Sequence, residues 1–192
     1  GWIGQLDELY PNDRSGRQLI ADLLGKVQRH EGVTLFCGAQ LVAKRGNVGN
    51  FGVDLALSDG SQSSLSVGAI VVATGFDSYA PVEGESGFGL PGVVTLPQFR
   101  ALLAECRESG QLTYQGRDVS TVTYIYCTGS RQPETNAHCS RYCCSATVHS
   151  AHLAAQLAPE LEQYHLHKGM RTYGKYEQLY EKACRSGSLF MK

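Results

Sequence analysis

Two spacings of apolar residues alternate along the chain, and they predict its elements. Residues 1–12 hold a loop with apolar side chains (Trp2, Ile3, Leu6, Leu9, Tyr10) that closes on Pro11. Leu19, Ile20, Leu23, Leu24 and Val27 then recur at helical intervals and form one stripe. Ser15, with Gln18 three residues later, marks the start of that helix as a capping box. The spacing then changes. Val33 to Cys37 and Gln40 to Lys44 read as strands. Phe51, Val53, Leu55 and Leu57 alternate with small or polar residues, as expected of a half-buried strand. Asn47-Val48-Gly49-Asn50 and Asp59-Gly60 supply the turns of a β-meander. The strand from Leu65 to Ala73 ends in the run Ala69-Ile70-Val71-Val72-Ala73, expected to be buried throughout.

A glycine- and proline-rich crossover over residues 78–96 separates this part from the rest. Thr95 and Gln98 form a second capping box, and Phe99, Leu102, Leu103 and Cys106 make the stripe of the helix it opens. Cys106 reads as a small core residue. From Arg117 onward the order is strand (Val119 to Tyr126), cysteine loop, helix (Cys143 to about Leu161), strand (Tyr164 to His167), helix (Lys175 to Arg185) and strand (Leu189 to Met191). Pro159 bends or breaks the first of these helices near its end. Alternating strands and helices predict a doubly wound parallel sheet. The fold class is therefore α/β with two Rossmann-like units. Residues 1–116 form an incomplete first unit with a β-meander, and residues 117–192 form a β-α-β-α-β second unit. The absence of an opening strand and the close on Ser188 to Lys192 suggest an internal piece of a longer chain.

Composition narrows the classes. The chain has 192 residues, 42% apolar and 18% charged, and 17 basic against 18 acidic side chains. That is a globular composition with no basic excess for nucleic acid or an anionic membrane surface. No apolar run is long enough for a transmembrane helix, and the N-terminus lacks signal-peptide features. The seven cysteines are an odd, clustered set, which points to a reducing, cytoplasmic setting and not to a secreted disulfide framework.

The chemistry is concentrated in Cys127, Cys139, Cys143 and Cys144, spaced C-x11-C-x3-C-C. Four thiolates on one point would select a soft metal: zinc, copper(I) or an iron–sulfur cluster. Zinc sites use separated C-x2-4-C pairs, which the adjacent Cys143-Cys144 fits poorly, whereas a [4Fe–4S] cube accepts neighbouring ligands. A structural zinc or metal-free interaction module, and a dithiol oxidoreductase using Cys143-Cys144, stay open as alternatives. Cys127 is expected at a strand's carboxyl end and Cys143-Cys144 at a helix start, where free N–H groups and the helix dipole favour anionic sulfur. Arg131 and Arg141 would act in the same direction. His138, next to Cys139, could replace a thiolate, but four cysteines already fill a cube and it reads as a loop residue; His149, His152, His165 and His167 show no ligand pattern, and Cys37 and Cys184 stand alone. The formal G-x-G-x-x-G match at Gly87 to Gly92 has no strand before it and reads as chance.

Three segments carry a resemblance: Cys127-Thr-Gly-Ser-Arg-Gln132, Cys139-Ser-Arg-Tyr-Cys-Cys144 and Arg171-Thr-Tyr-Gly-Lys-Tyr176. Together they resemble the flavin-containing A subunit of heterodisulfide reductase. The resemblance implies an oxidoreductase subunit with a thioredoxin-reductase-like FAD domain, in which Cys127, Cys139, Cys143 and Cys144 bind a [4Fe–4S] cluster. It also implies that Ala73-Thr74-Gly75 closes a flavin half-domain, with Thr74 and Gly75 against FAD. The glycine leaves room for close approach of a cofactor. Other redox subunits would be the partners. The cysteine loop would take the place of a nicotinamide site, so no NAD(P)H binding is expected. The chain departs from the resemblance in three ways. It has no strand-borne glycine loop for the flavin's phosphates, a part expected before Gly1. It has no cysteines in Asn12 to Arg17, and Lys175 runs directly into Tyr176. FAD is accordingly expected to bind this chain weakly or not at all, and an uncovered apolar face on the first unit to favour self-association.

Overall fold

The computed structural model describes residues 1–192 as a mixed α/β chain with an antiparallel meander and a separate parallel sheet, a partial Rossmann-like arrangement. Helix α1 (Gly16–Gln28) starts where Ser15 accepts a hydrogen bond from the Gln18 N–H. The reciprocal half of the capping box is missing, because the Gln18 side chain turns to Asp22 instead. Strands β1 (Gln40–Asn47), β2 (Asn50–Ala56) and β3 (Gln62–Val67) form the meander, in that order. The β1–β2 turn is Val48-Gly49, between the paired Asn47 and Asn50. Gly49 has φ +89°, a conformation that costs glycine nothing. Val53 is the buried apolar residue of this sheet.

The core lies in the second half. Helix α2 (Leu96–Ser109) is followed by a small hairpin, β4 (Thr113–Tyr114) and β5 (Arg117–Asp118). Then come β6 (Thr121–Ile125), α3 (Cys143–Leu157), β7 (Glu162–Leu166), α4 (Lys175–Arg185) and β8 (Leu189–Met191). The sheet is parallel with order β6-β7-β8. Tyr124, His165 and Phe190 are register partners on its helix-facing side. The His165 ring stacks on Tyr124 at 4.6 Å and on Phe190 at 4.1 Å. Phe99 of α2 meets Tyr124 edge-on, and Tyr180 of α4 meets Phe190 the same way. This ring ladder, with Leu103, Cys106, Leu112, Val148, Ala151, Ala154, Leu179 and Ala183, is the buried core. Helix α2 precedes residue 117 yet packs into this core.

Two strand expectations are corrected. Val33 to Cys37 is irregular, and so is the run Ala69 to Ala73, where Val71 is 88% exposed. β-Branched runs become strands only when another strand satisfies their N–H and C=O groups, and none lies beside either segment here. Leu23 and Leu24 of the α1 stripe are exposed as well. Helix α3 ends at Leu157, before the expected Leu161, so Pro159 follows its end and does not bend it. The face of the parallel sheet opposite the helices is bare and exposes Ile125, Leu166, Leu189 and Met191.

The capping box of α2 is complete. The Thr95 side chain accepts from the Gln98 N–H, and the Gln98 side chain accepts from the Thr95 N–H at 2.8 Å. Thr95→Ala is expected to lower stability by about 1 kcal/mol, read as an earlier urea midpoint. An unchanged midpoint would show that packing of Phe99 and Leu103 holds the helix without its cap.

Candidate metal centre

Strand β6 delivers Tyr126 and Cys127 to the carboxyl edge of the parallel sheet, where open α/β sheets bind ligands. Cys127 takes a left-handed backbone (φ +61°), and so do Arg131 and Arg141 in the loop that follows. A left-handed conformation is costly for residues with a Cβ, and three lie within fifteen residues of chain. The loop is braced from inside. The Arg131 N–H donates to the His138 carbonyl at 3.0 Å, the Gln132 N–H to the Asn136 carbonyl at 2.9 Å, and the Asn136 amide to the Gly129 carbonyl at 3.1 Å. The Arg131 guanidinium reaches the Gly169 carbonyl at 3.3 Å and the Cys127 sulfur at 3.9 Å.

Cys143 and Cys144 are the first two residues of α3. No side chain caps this helix in the usual way. Ser140 stands in, accepting from the Tyr142 and Cys143 N–H groups at 3.4 and 3.5 Å. The neighbouring Cys144 thiol holds the Cys143 thiol well below the ordinary range, helped by the Ser140 hydroxyl and the Cys127 N–H. Cys144 retains its proton for the same reason and because it is buried. The Arg171 N–H, from the loop after β7, acts on the Cys144 sulfur. Cys127, Cys143 and Cys144 thus gather where two loops and a helix start meet.

Cys139 is turned differently, with its sulfur accepting from the Arg141 N–H at 3.4 Å within its own turn. No three Cys, His, Asp or Glu side chains stand at metal-ligand spacing. The donor chemistry nonetheless fits a soft anionic cluster. It offers sulfur ligands, N–H groups aimed at sulfur and a guanidinium nearby, with no carboxylate among them. Cys37 and Cys184 are exposed, and Cys106 is buried in the same apolar cluster as Cys127 and Cys144. The Cys106 thiol exchanges hydrogen bonds with the Thr113 backbone.

Thr74 and Gly75 lie in an exposed irregular segment. Gly75 has φ +72°, and a Cβ added there would meet nothing within 4 Å. Its neighbour Phe76 packs on Tyr142, ring centroids 4.9 Å apart, next to Cys143 in sequence. The turn and the cysteines are therefore neighbours in space. Sequence reasoning missed this contact because nothing periodic links residues 66 positions apart. It also missed a buried polar cluster. Glu8 pairs with Arg107 at 2.6 Å and stands 3.8 Å from His149 Nε2, while Arg100 donates to the Glu8 carbonyl at 3.2 Å.

No protein-family model matches the chain. It is similar to the iron-sulfur A subunit of the CoB–CoM heterodisulfide reductase of Methanocaldococcus jannaschii, at 32% identity over 126 residues, 62% of this chain and 19% of that protein. The A subunit of the H2:CoB-CoM heterodisulfide,ferredoxin reductase of Methanothermobacter thermautotrophicus is also 32% identical, over the same shares of both chains. The A subunit of the ferredoxin:CoB-CoM heterodisulfide reductase of Methanosarcina acetivorans is 28% identical over 162 residues, 67% of this chain and 20% of that protein. The chain therefore spans about a fifth of the length of these curated relatives. No helix is long and apolar enough to cross a membrane.

Proposed function

We propose that the chain is an electron-transfer segment of a heterodisulfide-reductase-like oxidoreductase subunit, passing electrons between FAD and a [4Fe–4S] cluster. Cys127, Cys139, Cys143 and Cys144 are its ligands, and Thr74-Gly75 lies beside the flavin in the whole protein. The observation that carries this reading is the Phe76–Tyr142 contact, which puts the open Gly75 turn beside the gathered thiols. The cofactors supply the redox chemistry. The chain's part is to present sulfur at a helix start, direct N–H groups at it and hold the two sites together. Closing the ligand set requires the four sulfurs to draw together, since no three of them stand at metal-ligand spacing. Its partners are other redox subunits, in a reducing cytoplasmic setting.

The test is metal and flavin analysis of the 192-residue chain prepared without oxygen. The expected result is a brown protein with about four irons per chain, the content of one cube. FAD added in excess should be lost on desalting, because this chain has no glycine loop between a strand and a helix to bind the dinucleotide phosphates. Stoichiometric zinc in a colourless protein, or no metal at all, would overturn the cluster reading. Retained stoichiometric flavin would overturn the placement of the flavin contacts.

A further inference from the structure

Tyr79 lies face-on over the first turn of the cysteine loop. A Cβ on Gly129 would come within 2.3–2.5 Å of three atoms of the Tyr79 ring, so the ring rests against the bare Cα. Gly129 also has φ +69°. Two demands fall on one position: a left-handed turn and contact with an aromatic face. Only glycine meets both without strain. The ring is tethered from the other side, because its hydroxyl donates to Glu85 Oε2 at 2.8 Å and the same oxygen accepts the Val82 N–H at 3.3 Å. Three residues earlier, Phe76 packs on Tyr142 at the other end of the loop. The segment after Gly75 thus touches the cysteine loop at both ends, near Cys127 and near Cys143. Cys127, just past the end of β6, is 6% exposed and packs with Tyr126 and Cys144 beneath this turn.

From these contacts we infer that Phe76 and Tyr79 form an aromatic clamp in which Tyr79 is the positioning residue for Cys127, holding the Cys127-Thr128-Gly129 turn closed over the thiol. The purpose of the clamp, keeping the Gly75 turn and the cysteines in fixed relation, rests on the function proposed above; its geometry does not.

The experiment measures iodoacetamide alkylation of each cysteine by peptide mass spectrometry, on reduced, chelator-treated full chain. Tyr79→Ala is expected to speed alkylation of Cys127 by about tenfold, the change a modest local opening produces. Tyr79→Phe keeps the ring and should stay near the wild-type rate. Gly129→Ala should match Tyr79→Ala, because its Cβ displaces the ring. Cys106, buried in the core, reports general loosening, and exposed Cys37 reports reagent reactivity. An unchanged Cys127 rate in Tyr79→Ala, or an equal rise at Cys106, would overturn the clamp. Iron content is decided separately on wild-type protein, so the failure of one proposal is distinguishable from the failure of the other.

Discussion

Replacing Cys144 by alanine is expected to abolish iron binding, leaving a colourless protein from a preparation that is brown for the wild type. Cys144 is the buried member of the helix-start pair, beside Cys143, whose thiol it holds low. Its loss removes one ligand and unpairs a second. Cys139→Ala should be milder, with lowered iron content and not its disappearance, because Cys139 sits in a partly exposed turn while Cys144 is buried. Cys106→Ala should leave the iron unchanged. The readouts are absorbance and iron per chain for the three variants, prepared side by side without oxygen. Full iron in Cys144→Ala, or equal losses in Cys144→Ala and Cys106→Ala, would remove the four cysteines as the ligand set.

Acidification from pH 7 to 4.5 is expected to destabilise the fold through two buried imidazoles. Burial pushes His165 down to about 4, with His167 adding to the effect. Burial, then the neighbouring Arg100, pushes His149 down to about 4. Both start from an ordinary value of 6.5. Below pH 6.5 the unfolded chain therefore takes up protons that the folded chain refuses. Stability is fully present above that pH and falls steadily toward pH 4. The shifts correspond to on the order of 3 kcal/mol per histidine. Asp54 contributes in a lower window, since the Arg45 hydrogen bond, then Ser64, holds it at about 2. The check is the urea midpoint at pH 7, 5.5 and 4.5, for wild type and for His165→Phe. The variant should show a shallower decline. A midpoint independent of pH over this range would mean that both rings are solvated in the folded protein.

The geometry at His149 shows why it resists charge. Arg100 can only donate, so the His149 Nδ1 at 3.4 Å from its guanidinium must be the acceptor. The proton of the neutral ring then sits on Nε2, 3.8 Å from Glu8 Oε1 and without a closer partner. A second proton would set N–H against N–H at Arg100.

Local pattern was enough wherever an element is decided by its own residues. The α4 helix and β8 have the bounds read from the sequence, because the amphipathic stripe from Lys175 to Arg185 and the turn at Gly187 are local signals. The Thr95 capping box was legible for the same reason. Val33 to Cys37 and Ala69 to Ala73 misled because their composition specifies a preference, while a strand needs a partner that no local pattern supplies. The Gln115-Gly116 hairpin turn passed unnoticed, since glutamine with φ +50° is an unusual way to build it. At the cysteines, spacing singles out four residues but says nothing of how the loop that carries them is shaped. The left-handed backbone at 127, 131 and 141 is not encoded in spacing. Tyr79 over Gly129 was out of reach for the same reason as Phe76 on Tyr142: the contact spans fifty residues.

The bare face of the parallel sheet bears on how the strands find their alignment. In most half-covered sheets a one-residue slip is penalised because it turns polar side chains inward. Here that penalty is weak toward the carboxyl ends of the strands, where Ile125, Leu166 and Met191 on the outer side are as apolar as the rings on the inner side. Two buried pairs supply what hydrophobicity does not. Tyr124 donates to the Gln163 side chain at 2.8 Å, and the Tyr126 hydroxyl meets His165 Nδ1 at 2.8 Å. A slip of either strand would leave both tyrosines and their partners unsatisfied in the core or turned out to solvent. The two tyrosines act as a proofreading device, rejecting mispaired strands that oiliness alone would accept.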